Sequence, residues 1–465
     1  MVSSKKTTIL MCVLIVAMSF LRVIFWEFGD MDELWSYNMS RGIAEGFVPY
    51  RDFNMVPTPL FAFVNSAILL VSNTLLAYRI SCAVILAVFM ILVFEAIAER
   101  TNVFYAMPVV MLCLMFTYTI TYNALFFICA VSIYLLFGRE ETDKRNFLIG
   151  VLAACAALSR QSSGGVLMIL VLCILAGKKR WKGVIMYLAG AAVPCLILLG
   201  YLLITHSFYE FWDYCFFGLF EFGSDNYGFG IDALPNMLIL LAGIVCDLLM
   251  WKTERGQVII HLILGISVMM ICVPIVEGSH SYFGAVWFSI PVVAFTEKRF
   301  GKYLKKWMSV LMSSVFALGT AALIFVGISG LSIDRDHTIL AGTFVDADMV
   351  SDFDLIAQKN EEYRQQGHKV TTLSNTAILI SVIGGHYDPV FDMFNKGNFG
   401  RNDPLDYVGE ACASPDAVIV MPDDYPAEGL QNPKGVYEYV TDRCTPVESF
   451  GRFTWYVPKE VVLDG

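Results

Sequence analysis

The chain has 465 residues, of which 57% are apolar and only 16% are charged. A soluble protein is typically about half apolar and a quarter charged, so the composition excludes an ordinary water-soluble enzyme of this length. The chain has a net charge of −10, which comes from its C-terminal tail, residues 331–465. The tail has a net charge of −12, whereas residues 1–330 have a net charge of +2. The charge therefore gives no indication of a nucleic-acid partner.

Eleven apolar runs are predicted to cross the membrane, since a helix needs ~20 residues to span the hydrocarbon core. In chain order they are residues 8–26, 78–97, 101–119, 123–138, 146–159, 162–177, 183–204, 233–250, 257–274, 283–296 and 308–329. Lys5 and Lys6 precede the first run, but no small-residue cleavage site follows it, so we interpret it as a retained span. A further apolar stretch, 59–75, is either a span or a helix in the outer interface.

Positive charge distinguishes these two interpretations, because Lys and Arg are enriched in cytoplasmic loops. If 59–75 does not cross, 17 of the 22 basic residues before the tail face the cytoplasm. If it does cross, 15 of those 17 face outward instead. We therefore predict a multi-pass plasma-membrane protein with an interfacial helix at 59–75, a cytoplasmic N-terminus and an extracytoplasmic tail.

The five basic residues left on the outer side are all arginines, whereas all 11 lysines before the tail are cytoplasmic. Arginine binds phosphate oxygens through two parallel hydrogen bonds, which lysine cannot form. Such a group near the lipid headgroups is typical of a site for a lipid phosphate. Its members are Arg22, Arg41, Arg51, Arg79 and Arg160.

The tail is predicted to be a separate α/β domain of residues 331–465, after a membrane domain of residues 1–330. A helix is expected from Ser351, its cap, to Gln366. Three strands are expected at 369–373, 416–421 and 453–458.

Ten of the 12 cysteines lie in or beside apolar runs, where a thiol usually serves as a small hydrophobic group. The sequence has no CxxC motif or Cys/His cluster that indicates a metal. The other two, Cys412 and Cys444, are in the tail. If the tail is extracytoplasmic they form a disulfide or stay free, depending on their separation.

The first outer loop, residues 27–58, is the most informative segment. Leu34 to Ala44 has the pattern of an amphipathic helix, which places Asp32 and Glu33 at or near its N-terminus. A helix dipole favours carboxylates there, so the plain interpretation of Asp32 is an N-cap. The functional interpretation rests on the neighbouring residues, because the loop combines the three carboxylates Asp30, Asp32 and Glu33 with two arginines and two tyrosines beside the bilayer.

The order of a DE pair, a short helix, Gly and then PYRDF resembles the GT-C superfamily of membrane glycosyltransferases, in particular protein O-mannosyltransferases and aminoarabinose transferases. AALSRQSSG (156–164) is similar to the family's element between two short spans, with Arg160 at its Lys position. The aromatic segment 207–222 resembles the outer loop after the seventh span. The resemblance implies a GT-C-like membrane fold with about 11 spans and an outer α/β domain.

Three features depart from the family pattern. Asn123 stands where many members have a second outer Asp, and the entry to 59–75 lacks their Lys, which Arg51 would have to replace. No Glu/His pair clearly matches the metal site of some relatives, although Glu277 and His280 share a later outer loop. A divalent metal is therefore possible, and no cofactor is certain.

The resemblance implies that a sugar passes from a polyprenyl-phosphate donor to a lipid, glycan or protein acceptor at the outer face. Asp32 is the expected general base, with Glu33 in reserve, and Arg160, Arg51 and Arg41 are expected at the donor phosphate. The expected substrate-binding residues are Tyr37, Tyr50, Asp52, Asn123, Gln161, Tyr227 and His280. Two alternatives stay open: a flippase or transporter of lipid-linked sugars, and a relative that binds lipid-linked glycan without catalysis.

Overall fold

A computed structural model describes residues 5–225, 228–301, 303, 306–425, 433 and 435–459. Helices dominate its first two thirds. They are α1 Lys5–Ile24, α2 Met31–Ala44, α3 Leu60–Leu69, α4 Leu75–Arg100, α5 Val103–Met115, α6 Tyr122–Phe137, α7 Asp143–Ser159, α8 Gln161–Gly177, α9 Trp181–Ile204, α10 Phe208–Trp212, α11 Gly218–Asp225, α12 Leu234–Met269, α13 Gly278–Phe300 and α14 Lys306–Gly327. A π-helical turn, Asp213–Phe217, joins α10 to α11.

Each of the eleven predicted spans coincides with one of these helices or, in α12, with half of one. Within the described residues, five helical segments are long and apolar enough to cross a membrane by themselves: Lys5–Ile24, Leu75–Arg100, Trp181–Ile204, Ile231–Cys272 and Lys306–Gly327. Large apolar side chains on their surfaces, such as Leu14, Ile197 and Leu318, are exposed. Exposed apolar surface of this extent suits a lipid environment. The prediction of a polytopic helical membrane protein is confirmed.

Helix α12 is a hairpin of two spans and not one long helix. Its backbone leaves helical geometry at Glu254 (φ −135°, ψ 33°). The imidazole Nδ1 of His261 lies 2.6 Å from the carboxylate Oδ2 of Asp247, fourteen residues earlier. In a continuous helix these residues would be ~21 Å apart along the axis. The chain therefore reverses at Glu254, which agrees with two predicted spans, 233–250 and 257–274.

Helix α3 has only 10 residues and is thus ~15 Å long, about half the thickness of a hydrocarbon core. It packs against α2 and α4. An interfacial position for this segment is consistent with that length and stays the prediction.

The tail holds a four-stranded mixed sheet covered by helices. Its strands are β5 Lys369–Thr372, β6 Ala417–Pro422, β7 Cys444–Phe450 and β8 Phe453–Pro458, in the order β5-β6-β8-β7. Strands β5 and β6 are parallel and the other pairs antiparallel. Four two-residue strands precede them: β1 Gly228–Phe229, β2 Ile275–Val276, β3 Ser332–Ile333 and β4 Phe344–Val345. The helices are α15 Ala347–Gln365, α16 Ala377–Gly384, α17 Pro404–Ala413 and α18 Val436–Arg443.

Two details of the tail differ from the sequence prediction. Helix α15 is capped by Asp346, whose carboxylate accepts hydrogen bonds from the N–H groups of Asp348 and Met349, so Ser351 lies inside the helix. Strand β7 is an additional edge strand. Cys412 and Cys444 are both buried in one apolar cluster of this domain and are free thiols in the structure.

The tail rests directly on the outer loop. Asn38 of α2 donates a hydrogen bond to Asp392 (2.7 Å), and Arg41 donates to the carbonyl of Gly385 (2.6 Å). Arg401 pairs with Asp213 of the π-helical turn (2.7 Å). These contacts fix the tail above the loop that carries the candidate site.

Candidate functional site

Helix α2 presents Asp32 in its first turn. The N-cap is Asp30, whose Oδ1 accepts a hydrogen bond from the N–H of Glu33 (3.1 Å) and whose Oδ2 accepts one from the hydroxyl of Thr119 (2.5 Å). Among the described residues, Asp32 has no hydrogen-bond or ion-pair partner. The capping role therefore belongs to Asp30, and the Asp32 carboxylate stays available.

Asp32 is exposed to solvent, but protein groups surround its carboxylate closely. The resulting desolvation raises the pKa of Asp32 to about 6, and the nearby negative charges of Asp30 and Glu277 add to this effect. Such a carboxyl is mostly ionised at neutral pH and is a stronger base than an ordinary Asp. These are the properties that a general base requires.

Arg160 is the link between α7 and α8, and its extended backbone (φ −145°, ψ 106°) interrupts the helical path there. Its side chain is buried, and it donates hydrogen bonds to the side-chain oxygen of Asn123 and to the carbonyl of Ile271 (3.1 Å). The guanidinium lies 5.7 Å from the ring centre of Tyr122. Its Nε is buried and has no hydrogen-bond partner among the described residues, so this donor is unused in the structure.

Five residues form what we call the outer cluster: Asp32, Tyr122, Arg160, Glu277 and His280. The Tyr122 phenol lies within electrostatic range of both the Asp32 carboxylate and the Arg160 guanidinium. Glu277 is near Asp32, and its Oε1 lies 3.3 Å from Nδ1 of His280. The outer cluster thus brings two carboxylates together with an arginine, a histidine and a tyrosine.

Three of these five, Asp32, Arg160 and His280, were predicted site residues, and Asn123 joins them as a hydrogen-bond partner of Arg160. Tyr122 and Glu277 were not predicted. Glu277 precedes His280 by three residues, which is a local signal. Tyr122 has no signal beyond its place next to Asn123.

Glu33 is occupied elsewhere. Its two carboxylate oxygens accept hydrogen bonds from Nε (2.8 Å) and the terminal nitrogen Nη2 (2.7 Å) of Arg79, which is fully buried. Arg79 also donates to the carbonyls of Trp26 (2.6 Å) and Glu27 (3.2 Å). This pair attaches the start of α2 to α4, so Glu33 has a structural task.

Arg41 lies at the contact with the tail. Its Nε donates to Glu45 (2.6 Å), another nitrogen donates to the Gly385 carbonyl (2.6 Å), and its guanidinium lies 5.7 Å from the ring centre of Tyr387. The described contacts of Arg41 thus join α2 to the C-terminal domain and include no member of the outer cluster.

Arg51 and Asp52 pair with each other at the tip of the loop, with N–O distances of 2.7 and 2.8 Å. Asp52 also accepts a hydrogen bond from the N–H of Val48 (2.8 Å). The arginine holds the pKa of Asp52 below its usual range. Tyr50, at φ 71°, forms the turn before them, and its buried hydroxyl donates to the carbonyl of Pro57 (2.9 Å).

Two further residues that were expected to bind substrate, Tyr37 and Gln161, make hydrogen bonds within the protein. The buried Tyr37 donates its hydroxyl to the carbonyl of Asn73 (3.2 Å). Gln161 donates to the carbonyls of Val56 (2.9 Å) and Cys215 (3.2 Å), which ties α8 to the outer loop. Tyr227 lies outside the described residues.

The described part of the chain contains no group of three or more His, Cys, Asp or Glu side chains placed to hold a metal ion. Among the potential metal ligands of the outer cluster, the described residues show one contact, between Glu277 and His280 at 3.3 Å. The described residues of the outer cluster therefore do not fit a resident metal ion.

The sequence matches no protein-family model and no curated protein. Solved structures do share its fold. Apo ArnT from Cupriavidus metallidurans superposes with a TM-score of 0.62 at 12% identity, covering 96% of this chain and 97% of that one. ArnT bound to undecaprenyl phosphate superposes with a TM-score of 0.60 at 12% identity, covering 98% of each chain. The apo oligosaccharyltransferase of Archaeoglobus fulgidus superposes with a TM-score of 0.52 at 11% identity, covering 90% of this chain and 70% of that one.

Proposed function

Because the chain has the GT-C fold of these membrane glycosyltransferases, we propose that it transfers a sugar from a polyprenyl-phosphate donor to an acceptor at the outer face of the membrane. One of its structural neighbours was solved with undecaprenyl phosphate bound, which supports this class of donor. The outer cluster contains a carboxylate and a guanidinium, which are the groups that sugar transfer from a lipid phosphate needs.

One observation carries the proposal: an available carboxylate and a buried guanidinium are both within electrostatic range of Tyr122. Sugar transfer from a lipid phosphate needs a base for the acceptor hydroxyl and a positive charge for the leaving phosphate. Asp32 supplies the base and Arg160 the charge. The buried Nε of Arg160 has no hydrogen-bond partner among the described residues, and we assign this donor to the phosphate when the donor lipid binds.

The reaction we propose has one bond formed and one broken at the anomeric carbon. The acceptor oxygen attacks that carbon and gives its proton to Asp32, while the bond from the carbon to the phosphate oxygen breaks. The electron pair of the broken bond leaves with polyprenyl phosphate, whose extra negative charge Arg160 stabilises. Charge stabilisation of this kind typically contributes several kcal/mol to the transition state.

Two neighbouring residues support these two groups: Asn123, which lies outside the outer cluster, and Glu277, which belongs to it. Asn123 accepts a hydrogen bond from Arg160 and so fixes the direction of its guanidinium. Glu277 helps to keep the pKa of Asp32 high. Glu33, Tyr37, Tyr50 and Gln161 hold the loop through the contacts described above.

Sugar release from defined donors tests the proposal. Wild type and Asp32→Asn, purified in nanodiscs, are assayed with undecaprenyl phosphate carrying glucose, mannose, galactose or arabinose. We expect release from at least one donor by wild type and loss of release in Asp32→Asn. Asp352→Asn, an exposed carboxylate on α15, is the matched control and should behave as wild type.

Two results would count against the proposal. Equal release by Asp32→Asn and wild type would remove Asp32 from the chemistry. Binding of the donors by wild type without any release would favour the alternative of a non-catalytic lipid-linked-glycan binding protein.

A further inference from the structure

The C-terminal domain, residues 331–465, contains two of the 12 cysteines of the chain, Cys412 and Cys444. Cys412 is the penultimate residue of α17, and Cys444 is the first residue of β7. Both are buried, with exposed fractions of 5% and 1%. They lie in one apolar cluster together with Val408 of α17 and Val440 of α18. Two cysteines from different elements therefore share one interior.

The two thiols are also in contact with each other. A hydrogen bond joins their side chains, and it raises the pKa of Cys412 and lowers that of Cys444. The Cys412 thiol is thus the donor and the Cys444 sulfur the acceptor. Disulfide geometry excludes cysteines that lie far apart or point away from each other. Side chains that hydrogen-bond through their sulfur atoms are neither.

A structural zinc site is another use of paired buried thiols. Such a site needs four side chains, usually Cys and His. Among the described residues, no third His, Cys, Asp or Glu joins this pair to form a metal-binding group. The geometry of the pair therefore favours a covalent bond between its own two sulfur atoms.

The position of the pair in the sheet gives such a bond a structural task. Strand β7 is the edge strand beside β8, and most of its residues are exposed. Its pairing with β8 is irregular between Pro446 and Glu448. Helix α17, in contrast, packs against the inner strand β6. A bond between Cys412 and Cys444 would attach the start of the edge strand to a helix that lies against the centre of the sheet.

We propose that Cys412 and Cys444 form a structural disulfide in the exported C-terminal domain. The inference rests on the predicted extracytoplasmic position of the tail, because disulfides form and persist in oxidising compartments. It does not depend on the proposed sugar transfer. The oxidant is a protein or small-molecule disulfide of that compartment.

The bond forms by thiol–disulfide exchange. One thiolate of the pair attacks a sulfur of the oxidant, which gives a mixed disulfide and releases the oxidant's other sulfur as a thiolate. The second thiolate of the pair then attacks the sulfur of the first and displaces the remaining oxidant sulfur. The chain loses two protons and two electrons, and the oxidant leaves as two thiols. Because both cysteines are buried in the folded domain, the exchange takes place while the domain folds.

Thiol counting on the full chain tests the inference. The protein is expressed in Gram-negative cells, whose periplasm is oxidising, and the cells are dissolved in denaturant that contains a polyethylene-glycol maleimide. We expect wild type to react at 10 of its 12 cysteines before reduction and at all 12 after it. Peptide mass spectrometry without reductant should identify Cys412 linked to Cys444.

Two variants complete the thiol count. The double variant Cys412→Ala, Cys444→Ala should react at 10 cysteines both before and after reduction. Cys173→Ala, which removes an exposed cysteine of α8, is the matched control. It should react at one cysteine fewer than wild type in each state and keep the difference of two.

The stability of the protein gives a second measurement. A reductant should lower the melting temperature of wild type by about 5 °C or more, because the bond restricts the unfolded chain. It should leave the double variant unchanged. An equal decrease in both proteins would overturn the structural role of the bond. Reaction of wild type at all 12 cysteines before reduction, or a bond from either cysteine to any other, would overturn the disulfide itself and needs no variant to fold.

Discussion

Glu33 and Arg79 form a two-point ion pair across 46 positions of the chain, with N–O distances of 2.8 and 2.7 Å, and both side chains are almost fully buried. The pair holds the first turn of α2, and with it Asp32, against α4. The neighbouring carboxylates of one DE pair therefore have different environments. Glu33 is neutralised by a fixed partner, whereas Asp32 has none among the described residues.

Breaking this pair should destabilise the protein. Removing one partner of a buried ion pair leaves an uncompensated charge and costs about 3–5 kcal/mol. We expect Glu33→Ala to lower the free energy of unfolding by about that amount, measured by denaturant titration in detergent. Glu361→Ala, an exposed carboxylate on α15, is the control. An equal, small effect of both changes would contradict the structural role of Glu33.

Asp32→Asn should have the opposite effect on stability at neutral pH. The pKa of Asp32 is raised to about 6 in the folded chain, above the usual 3.9 for an unfolded one. The folded state therefore binds the proton more tightly, and stability is lost as the pH rises from about 4 to about 6. Removing this carboxylate should raise the melting temperature at pH 7.5 but change it little at pH 4. A lower melting temperature at pH 7.5 would contradict a raised pKa of Asp32 in the folded chain.

The contact between α7 and α9 depends on two glycines. A Cβ atom at Gly190 would lie 2.0 Å from the carbonyl oxygen of Phe147, and one at Gly150 would lie 2.0 Å from that of Tyr187. Gly190→Val should therefore separate the helices and lower the melting temperature strongly. Gly200→Val is the control in the same helix, because a Cβ there meets nothing within 4 Å. Similar melting temperatures for the two variants would contradict this packing.

Arg160→Gln should weaken binding of undecaprenyl phosphate. The change removes the positive charge that we assign to the lipid phosphate, while an amide keeps some hydrogen-bonding capacity. We expect a loss of tenfold or more in affinity, measured by lipid titration in nanodiscs. Arg335→Gln, an exposed arginine of the tail, should bind as wild type does. Unchanged affinity in Arg160→Gln would assign the phosphate to another group.

Most of the fold could be predicted from the sequence because the information is local. Each span is a run of apolar residues, and the run lengths predicted even the two halves of α12, whose reversal shows in the contact of Asp247 with His261. Helix starts were less certain: Asp346 and Ser351 are both capping residues, and only the structure shows that Asp346 caps α15. Strand β7 was missed because Pro446 and Glu448 weaken its strand pattern.

The site was less predictable because it depends on contacts between distant segments. Asp32 and Arg160 were selected through a family resemblance, and their roles stay predictions. No local pattern distinguishes Asp30 as the cap from Asp32 in the first turn, or joins Glu33 to Arg79. Tyr122 and Glu277 reach Asp32 from α6 and the start of α13, a proximity that only tertiary structure provides.

The pH dependence of sugar release tests the central claim most directly. With a donor that wild type uses, the rate should fall as the pH drops below about 6, because protonated Asp32 cannot accept the acceptor proton. Asp32→Asn should bind undecaprenyl phosphate with wild-type affinity and release no sugar at any pH. Release by Asp32→Asn at the wild-type rate, with the same pH profile, would contradict the claim that Asp32 is the base.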